Sequence, residues 1–317
     1  MLRFFRIQGG LIHEIHSTED NVLQLLHEAD WIDMNEPNDE ERLQLQSLLS
    51  TDLPESNDVE EIEASARCFV DQAGIHVHSL FLSQSEGRHR TTTVACILQK
   101  NRLITVREGE IADFRLLRMR ARRAQIAVDS PAELLVTLLE HKVENHADTL
   151  EDLHRQLEGV SHLVLEEHET ELDTVIEKLA RLEDSNGKIR LCLMDTQRDI
   201  SFLLRHLRTQ YEYAETLREI MRDVDTLMSH TTFLFDKINF LMDSTQGFIN
   251  IEQNKIIKIF SIASVVFLPP TLVASLYGMN FKFMPELHWS FGYPWAIGLM
   301  ILSGFAPYWY FKHRGWL

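Results

Sequence analysis

Between Pro131 and Pro269 the chain has no proline, and between Ile259 and Phe281 it has no charged side chain. Each absence excludes something. The proline-free stretch is rich in Leu, Glu, Arg and Asp at helical spacing, which excludes frequent turns and reads as long helices. The 23 uncharged residues are followed by 25 more, Leu287 to Phe311, and together they exclude a wholly soluble chain. At about 1.5 Å per residue, each run can cross the roughly 30 Å hydrocarbon core of a bilayer. Cysteine is scarce. Cys68, Cys96 and Cys192 are odd in number and far apart, with no CxxC, which disfavours a disulfide framework or a thiolate zinc site and fits a reducing compartment. Residues Met1 to Arg6 lack the apolar core of a signal peptide, so no cleaved leader is expected. No P-loop, nucleophile elbow or HExxH motif is present, so an enzyme is not expected.

What is there is unevenly charged. Residues 1–258 carry 28 Lys and Arg against 47 Asp and Glu, a net of −19; residues 259–317 carry three against one, a net of +2. So acidic a soluble part disfavours nucleic acid and suits cations, although acidity also serves solubility alone. Lys255 and Lys258 precede the first apolar run, and Lys312 and Arg314 follow the second, while Lys282 between them is offset by Glu286. Positive-inside counting places both termini in the cytoplasm and the connecting loop outside.

The expected class is α+β in three parts: an α/β domain over 1–128, a long-helix stalk over 129–255, and two membrane helices within 256–317, about 256–278 and 290–311. In the first part Ile75–Leu82, Thr91–Leu98 and Arg102–Arg107 read as strands, and 38–49, 57–67 and 110–124 as helices, giving one sheet with helices packed on it. Ser130-Pro131-Ala132-Glu133 supplies an N-cap, a proline at the first helical position and a glutamate three residues after the cap. Long helices are then expected over about 131–168, 171–207 and from 214 into the membrane, the second weakened by Asn186-Gly187.

One stripe of the third helix stands out. With heptad positions counted from Asn254, the a and d places hold Phe233, Asp236, Phe240, Asp243, Gly247, Asn250, Asn254, Ile257, Ser261, Ser264, Leu268, Thr271, Ser275 and Gly278. In an apolar helix this stripe is mostly small or polar, so bulky neighbours face lipid and the stripe faces protein or water. For the serines, packing and pore lining read equally. For Asp236, Asp243 and Asn254 a wet lumen is favoured, because converging carboxylates are costly on a dry seam. Two spans cannot enclose a pore, so several copies must. Ile257 and Leu268 would be apolar constrictions, and Pro269-Pro270 should bend or open the span.

At the outer end of the first span stands Tyr277-Gly278-Met279-Asn280. Gly278 allows close backbone approach or positive φ. Asn280 offers an uncharged amide oxygen, suited to the water shell of a reluctantly dehydrating ion such as Mg²⁺. Here the chain resembles the CorA family of magnesium and cobalt transporters. The resemblance is carried by YGMNF at 277–281, MPEL at 284–287, WSFGYP at 289–294, the ending Gly315-Trp316-Leu317, GFINIEQNKIIKIFSIASVVFLPP at 247–270 and RLCLMDTQR at 190–198, the last two resembling its Gram-negative branch. It covers nearly the whole chain.

The resemblance implies a funnel-shaped homopentamer with a cytoplasmic α/β domain and an ion path along the first span. It implies an entrance filter at Gly278, Met279 and Asn280 and pore lining at Asn254, Ile257, Leu268 and Thr271, to which the stripe adds Ser261, Ser264 and Asp243. It implies regulatory Mg²⁺ between neighbouring soluble domains at the acidic positions Glu61 and Glu219, each Glu where Asp can occur. The expected function is channel-like Mg²⁺ uptake across the inner membrane, driven by membrane potential and gated by cytoplasmic Mg²⁺, with Co²⁺ and Ni²⁺ as further cargo. Mg²⁺ is thus substrate and regulator; no other cofactor is expected, and the partners are lipid and further copies of the chain.

Two alternatives remain at this stage. A proton-coupled zinc transporter of the same architecture needs an ionisable group on the membrane stripe, which is absent, and a residue other than Met279. A membrane-anchored metal-dependent enzyme would use His76 and His78, which share a strand face; no carboxylate or Cys partner is apparent for them, and packing is the plainer reading. The basic run Arg115, Arg118, Arg120, Arg122 and Arg123 is expected to pair with acidic helices rather than bind lipid or nucleotide. Asp195 reads as a stalk contact, and Glu166, Glu167, Glu169 and Glu171 as a solvated turn.

Overall fold

The computed structural model describes residues 1–16, 22–49, 67–85, 87–166, 172–207, 211–280, 282 and 284–315. Contacts divide them into two compact units, Met1–Met242 and Asp243–Leu317. The first is built on a seven-stranded mixed sheet. Its strands are β1 (Leu2–Gln8), β2 (Leu11–Ile15), β3 (Trp31–Asn35), β4 (Cys68–Val70), β5 (Ile75–Ser85), β6 (Arg88–Leu98) and β7 (Leu103–Arg107). They lie in the order β2-β1-β3-β7-β6-β5-β4, and only β3 with β7 is a parallel pair. Gly9 and Gly10 close the β1–β2 hairpin at φ 59° and 78°, the left-handed pair that a two-residue turn needs to follow strand twist.

Alternation assigns the two faces. Phe4, Ile32, Met34, Ala95, Ile97, Ile104 and Val106 pack under α1 (Val22–Glu28) and α2 (Asp39–Leu49). Phe5, Trp31, Val94, Cys96, Leu98 and Leu103 point the other way, into the larger core shared with α3 (Ala112–Arg122), α4 (Pro131–Leu165) and α5 (Leu172–His206). This period of two is what a strand buried on both faces produces. The helix expected near 57–67 lies, apart from Arg67, outside the described residues. The capping expectation holds: Ser130 Oγ accepts from the Glu133 N–H at 3.1 Å, and the Glu133 carboxylate accepts from the Asp129 N–H at 2.6 Å. Asn186-Gly187 does not interrupt α5. Asn186 is buried, and its Nδ2 donates to the Thr231 carbonyl at 2.9 Å, so a residue weak in helix propensity is held by a tertiary bond.

Several buried charges of this unit are paired. Asp33 on β3 accepts from Arg107 at 2.9 and 3.2 Å and from Arg118 at 3.1 Å; Arg107 also lies over the Phe114 ring at 4.7 Å. The basic run therefore pairs only partly with helices. Arg118 reaches strand and loop carboxylates, Asp33 and Glu110, Arg122 reaches Glu14 on β2, and Arg120 alone meets a helix, at Glu144. Asp195 is likewise no contact between stalk helices. It pairs with Arg67 at 3.0 Å and accepts the Leu80 N–H at 2.6 Å, tying α5 to β5. Lys142 on α4, fully buried, donates to Ser79 Oγ at 2.7 Å, and Ser79 bonds Asp199 on α5. Burial first, and the Asp195 charge second, push the Asp199 carboxyl well above its ordinary range. Glu166 is the C-cap of α4; Glu167, Glu169 and Glu171 lie outside the described residues.

Helix α6 (Tyr211–Tyr277) runs 67 residues, roughly 100 Å by helical rise. In the first unit Leu217, Val224, Thr231 and Ile238 are buried at intervals of seven, and Ile220, Leu234 and Leu241, each three residues after one of these positions, are buried too. Past Met242 the second unit comprises the rest of α6, a 3₁₀ turn over Pro285–His288, and α7 (Gly292–His313). The second apolar run is not helical from its start. The turn at Pro285 intervenes, and Gly292 sits so close to the Glu286 carbonyl that a Cβ would lie 2.2 Å from it. Among the described residues one helix, Tyr213–Tyr277, is long and apolar enough to cross a membrane. The 22 residues of α7 have the length, but Trp, Tyr and Pro at both ends lower their hydropathy.

Candidate functional site

The candidate site is the outer face and end of α6. Pro269 and Pro270 lack the N–H groups that the carbonyls of Val265 and Val266 would accept, yet the helix continues through both. The helix is thus not interrupted at the two prolines. Within the second unit, Gly304 on α7 packs against this point: a Cβ there would meet Pro270 Cγ at 3.2 Å and the Val266 carbonyl at 3.6 Å. Beside it lies an apolar cleft of about 510 Å³ lined by Val266, Phe267 and Pro270 on α6 and by Met300, Ile301 and Phe305 on α7.

The half-buried residues of the span are Ile262, Ala263, Val266, Pro269, Pro270, Val273 and Tyr277. At 3.6 residues per turn they form the side toward α7. Ser261, Ser264, Leu268, Thr271, Ser275 and Gly278 are all exposed and fall on the opposite side. The small and hydroxyl residues are thus not the seam that packs the two helices together. Ser264 Oγ donates to the Phe260 carbonyl at 2.9 Å, and Thr271 Oγ1 to the Phe267 carbonyl at 2.8 Å. Their protons are committed to their own helix. Their lone pairs remain able to accept from water or to meet a cation.

Further down the same stripe Asp243, Asn254 and Ile257 are exposed, as are Asp236, Phe233 and Phe240. The last two leave 51 and 59% of their surface open. At the end of α6 the Gly278 N–H donates to the Ala274 carbonyl at 3.0 Å, and a Cβ at Gly278 would approach that oxygen to 3.2 Å. Of the two roles open to this glycine, close approach is realised and positive φ is not. Met279 and Asn280 are exposed, and the Asn280 amide has no partner among the described residues.

The expected regulatory pair falls partly outside the described residues. Glu219 is exposed on α6, and Glu61 lies outside the described residues. The enzyme alternative loses its residues. His76 is buried, its Nε2 bonded to Asp71 at 2.8 Å and its ring stacked on Phe69 at 4.4 Å. Asp71 is the carboxylate partner that spacing along one strand did not reveal. His78 is buried without a hydrogen-bond partner among the described residues, and burial lowers it to about 4, with neighbouring His76 and Arg67 adding. No group of three or more His, Cys, Asp or Glu suited to a metal occurs among the described residues.

An α/β unit whose last helix runs on into an apolar segment of membrane length has an element able, by length and composition, to cross a bilayer. Residues 27–313 match the family described as CorA-like Mg²⁺ transporter protein, and the chain belongs to that family. It is 51% identical to magnesium transport protein CorA of Salmonella typhimurium and 50% identical to that of Escherichia coli, over the whole of each chain. Its fold is similar to the complete structure of the CorA magnesium transporter from Methanocaldococcus jannaschii, with a TM-score of 0.74 at 20% identity, covering 100% of this chain and 99% of that one.

Proposed function

We propose that this chain takes up magnesium ions across the inner membrane, as a channel formed by five copies with the α6 stripe around a common axis. The observation that carries this reading is the stripe itself. It is uncharged within the span, faces away from α7, and ends at an amide with no partner among the described residues. Whole-length similarity to proteins named magnesium transport protein supports the ion. Gly278, Met279 and Asn280 form the filter. Asn254, Ser261, Ser264 and Thr271 line the path with oxygen, Ile257 and Leu268 constrict it, and Asp243 gathers cations at the inner mouth. With no carboxylate inside the span, the ion passes largely hydrated. The membrane potential is sufficient drive, because a divalent ion gains about 4.6 kcal/mol per 100 mV.

Co²⁺ and Ni²⁺ belong to the same reading as further cargo. So does gating, in which internal Mg²⁺ bridges acidic groups such as Glu61 and Glu219 of neighbouring copies and favours the closed ring. The zinc alternative has no ionisable side chain on the stripe from Ser261 to Gly278 through which to couple protons. The test is Mg²⁺ flux into proteoliposomes with and without an inside-negative potential. Uptake that rises with the potential supports the proposal; uptake that ignores it, or none, overturns it.

A further inference from the structure

The first unit holds an opening that transport does not use. It lies between the turn joining β5 to β6 and helices α4 and α5, and encloses about 580 Å³. Its inner wall is apolar, from Leu153, Val160 and Leu182, all buried. A second opening of about 490 Å³ shares Gly87, His89, Arg181 and Ser185 with it and adds Arg88, Arg90 and Lys188. The two openings thus adjoin at these four residues around the β5–β6 turn.

Charge sets this place apart in a chain of net −17. Five cations border the openings, Arg88, Arg90, Lys178, Arg181 and Lys188, against Glu177 and Asp184 among the described lining residues. Arg181 pairs with Glu177 at 2.5 Å and Lys188 with Asp184 at 2.6 Å, each within α5. Arg88, Arg90 and Lys178 have no acidic partner among the described residues; Glu86, between the strands, is not one of those. His89 is half-buried, and its Nδ1 meets Ser185 Oγ at 3.0 Å, which leaves Nε2 for a ligand. Gly159 lines the cleft from α4, and a Cβ there would meet nothing within 4 Å, so it borders free space.

We propose that this cleft binds a phosphate ester with an apolar or aromatic body, of about nucleotide size. Arg88 and Arg90 take the phosphate oxygens, for which the planar guanidinium fork is suited. The wall of Leu153, Val160 and Leu182 takes the body, and the volume lies in the range of small-molecule sites. The proposal does not rest on the transport reading.

The test uses the full chain in detergent, in buffer freed of divalent ions so that no ligand acts by chelating Mg²⁺. Calorimetric titration with ATP should show saturable binding at one per chain. Pyrophosphate should bind at least tenfold more weakly, and adenosine should not register. Arg88→Ala/Arg90→Ala should weaken ATP binding tenfold or more. Gly159→Leu should abolish it, since the new side chain fills the cleft while Leu suits a helix better than Gly. Thermal unfolding of both variants checks that the fold persists. Wild type without saturable ATP binding, or binding retained by both variants, overturns the site. Equal affinity for pyrophosphate and ATP overturns the assigned body.

Discussion

Polar groups are handled in opposite ways in the two units. In Met1–Met242 many buried polar groups meet partners inside the unit, Asp33 with Arg107 and Arg118, Asp195 with Arg67 and Lys142 with the Ser79 hydroxyl, while Asp113, His78 and His146 are the exceptions. In Asp243–Leu317 the stripe residues are exposed, and Asn280 at its end has no partner among the described residues. A buried charge without a partner is expensive, so the first unit uses its polar groups to join sheet to helices. Groups left open on a membrane-length helix are available to something outside the chain. The difference separates residues that hold the fold from residues that can meet an ion.

The largest expected effect would break this comparison at the open end. Asn280→Ala should abolish Mg²⁺ flux while the assembly still elutes at wild-type size, because the amide supports no other part of the fold. Near-normal uptake by an assembled variant would remove Asn280 from the filter. The next tests the closed end. Asp33→Ala leaves Arg107 and Arg118 buried without their shared carboxylate, and should lower stability by about 3–5 kcal/mol. Denaturant unfolding of the full chain reads this out; a change under 1 kcal/mol would mean that water replaces the carboxylate.

A smaller effect follows from histidine. His146 is fully buried with neither ring nitrogen partnered among the described residues, and burial, with nearby Lys142, lowers it to about 3. Its folded value lies below its unfolded one, so the stability it contributes is present above about pH 6.5 and is lost as pH falls. Between pH 6.5 and 5 the loss should be about 2 kcal/mol, and His146→Phe should flatten that slope. Thermal unfolding across this window decides; identical slopes would acquit His146. The smallest effect concerns constriction. Leu268→Ser and Ile257→Ser should raise flux several-fold at high internal Mg²⁺ by wetting the narrow points, with little change in stability, since both side chains are already more than half exposed. An unchanged leak in both would make the stripe a packing surface between copies.

Much of the rest was legible, and where it was not the reasons are local. The β1–β2 hairpin was missed although Gly9-Gly10 between two short apolar runs is its sequence signal. Strand β3 was missed because Trp31 to Asn35 is short and buried on both faces, so it shows little alternation. Asp71 beside His76 and Asn186 beneath Thr231 are partners that no periodicity encodes.

The sequence by itself determined the elements that rest on composition and period. These are the membrane-length run, the long helices, the cap at Ser130, the stripe and the Gly278–Asn280 end, because bilayer thickness and helical rise act on the chain one residue at a time. Only the tertiary structure decided which side of α6 faces α7, which carboxylate each arginine meets and which histidines are shut away from water. Those depend on groups brought together from distant parts of the chain, where packing and desolvation act on pairs, and a linear pattern does not contain pairs.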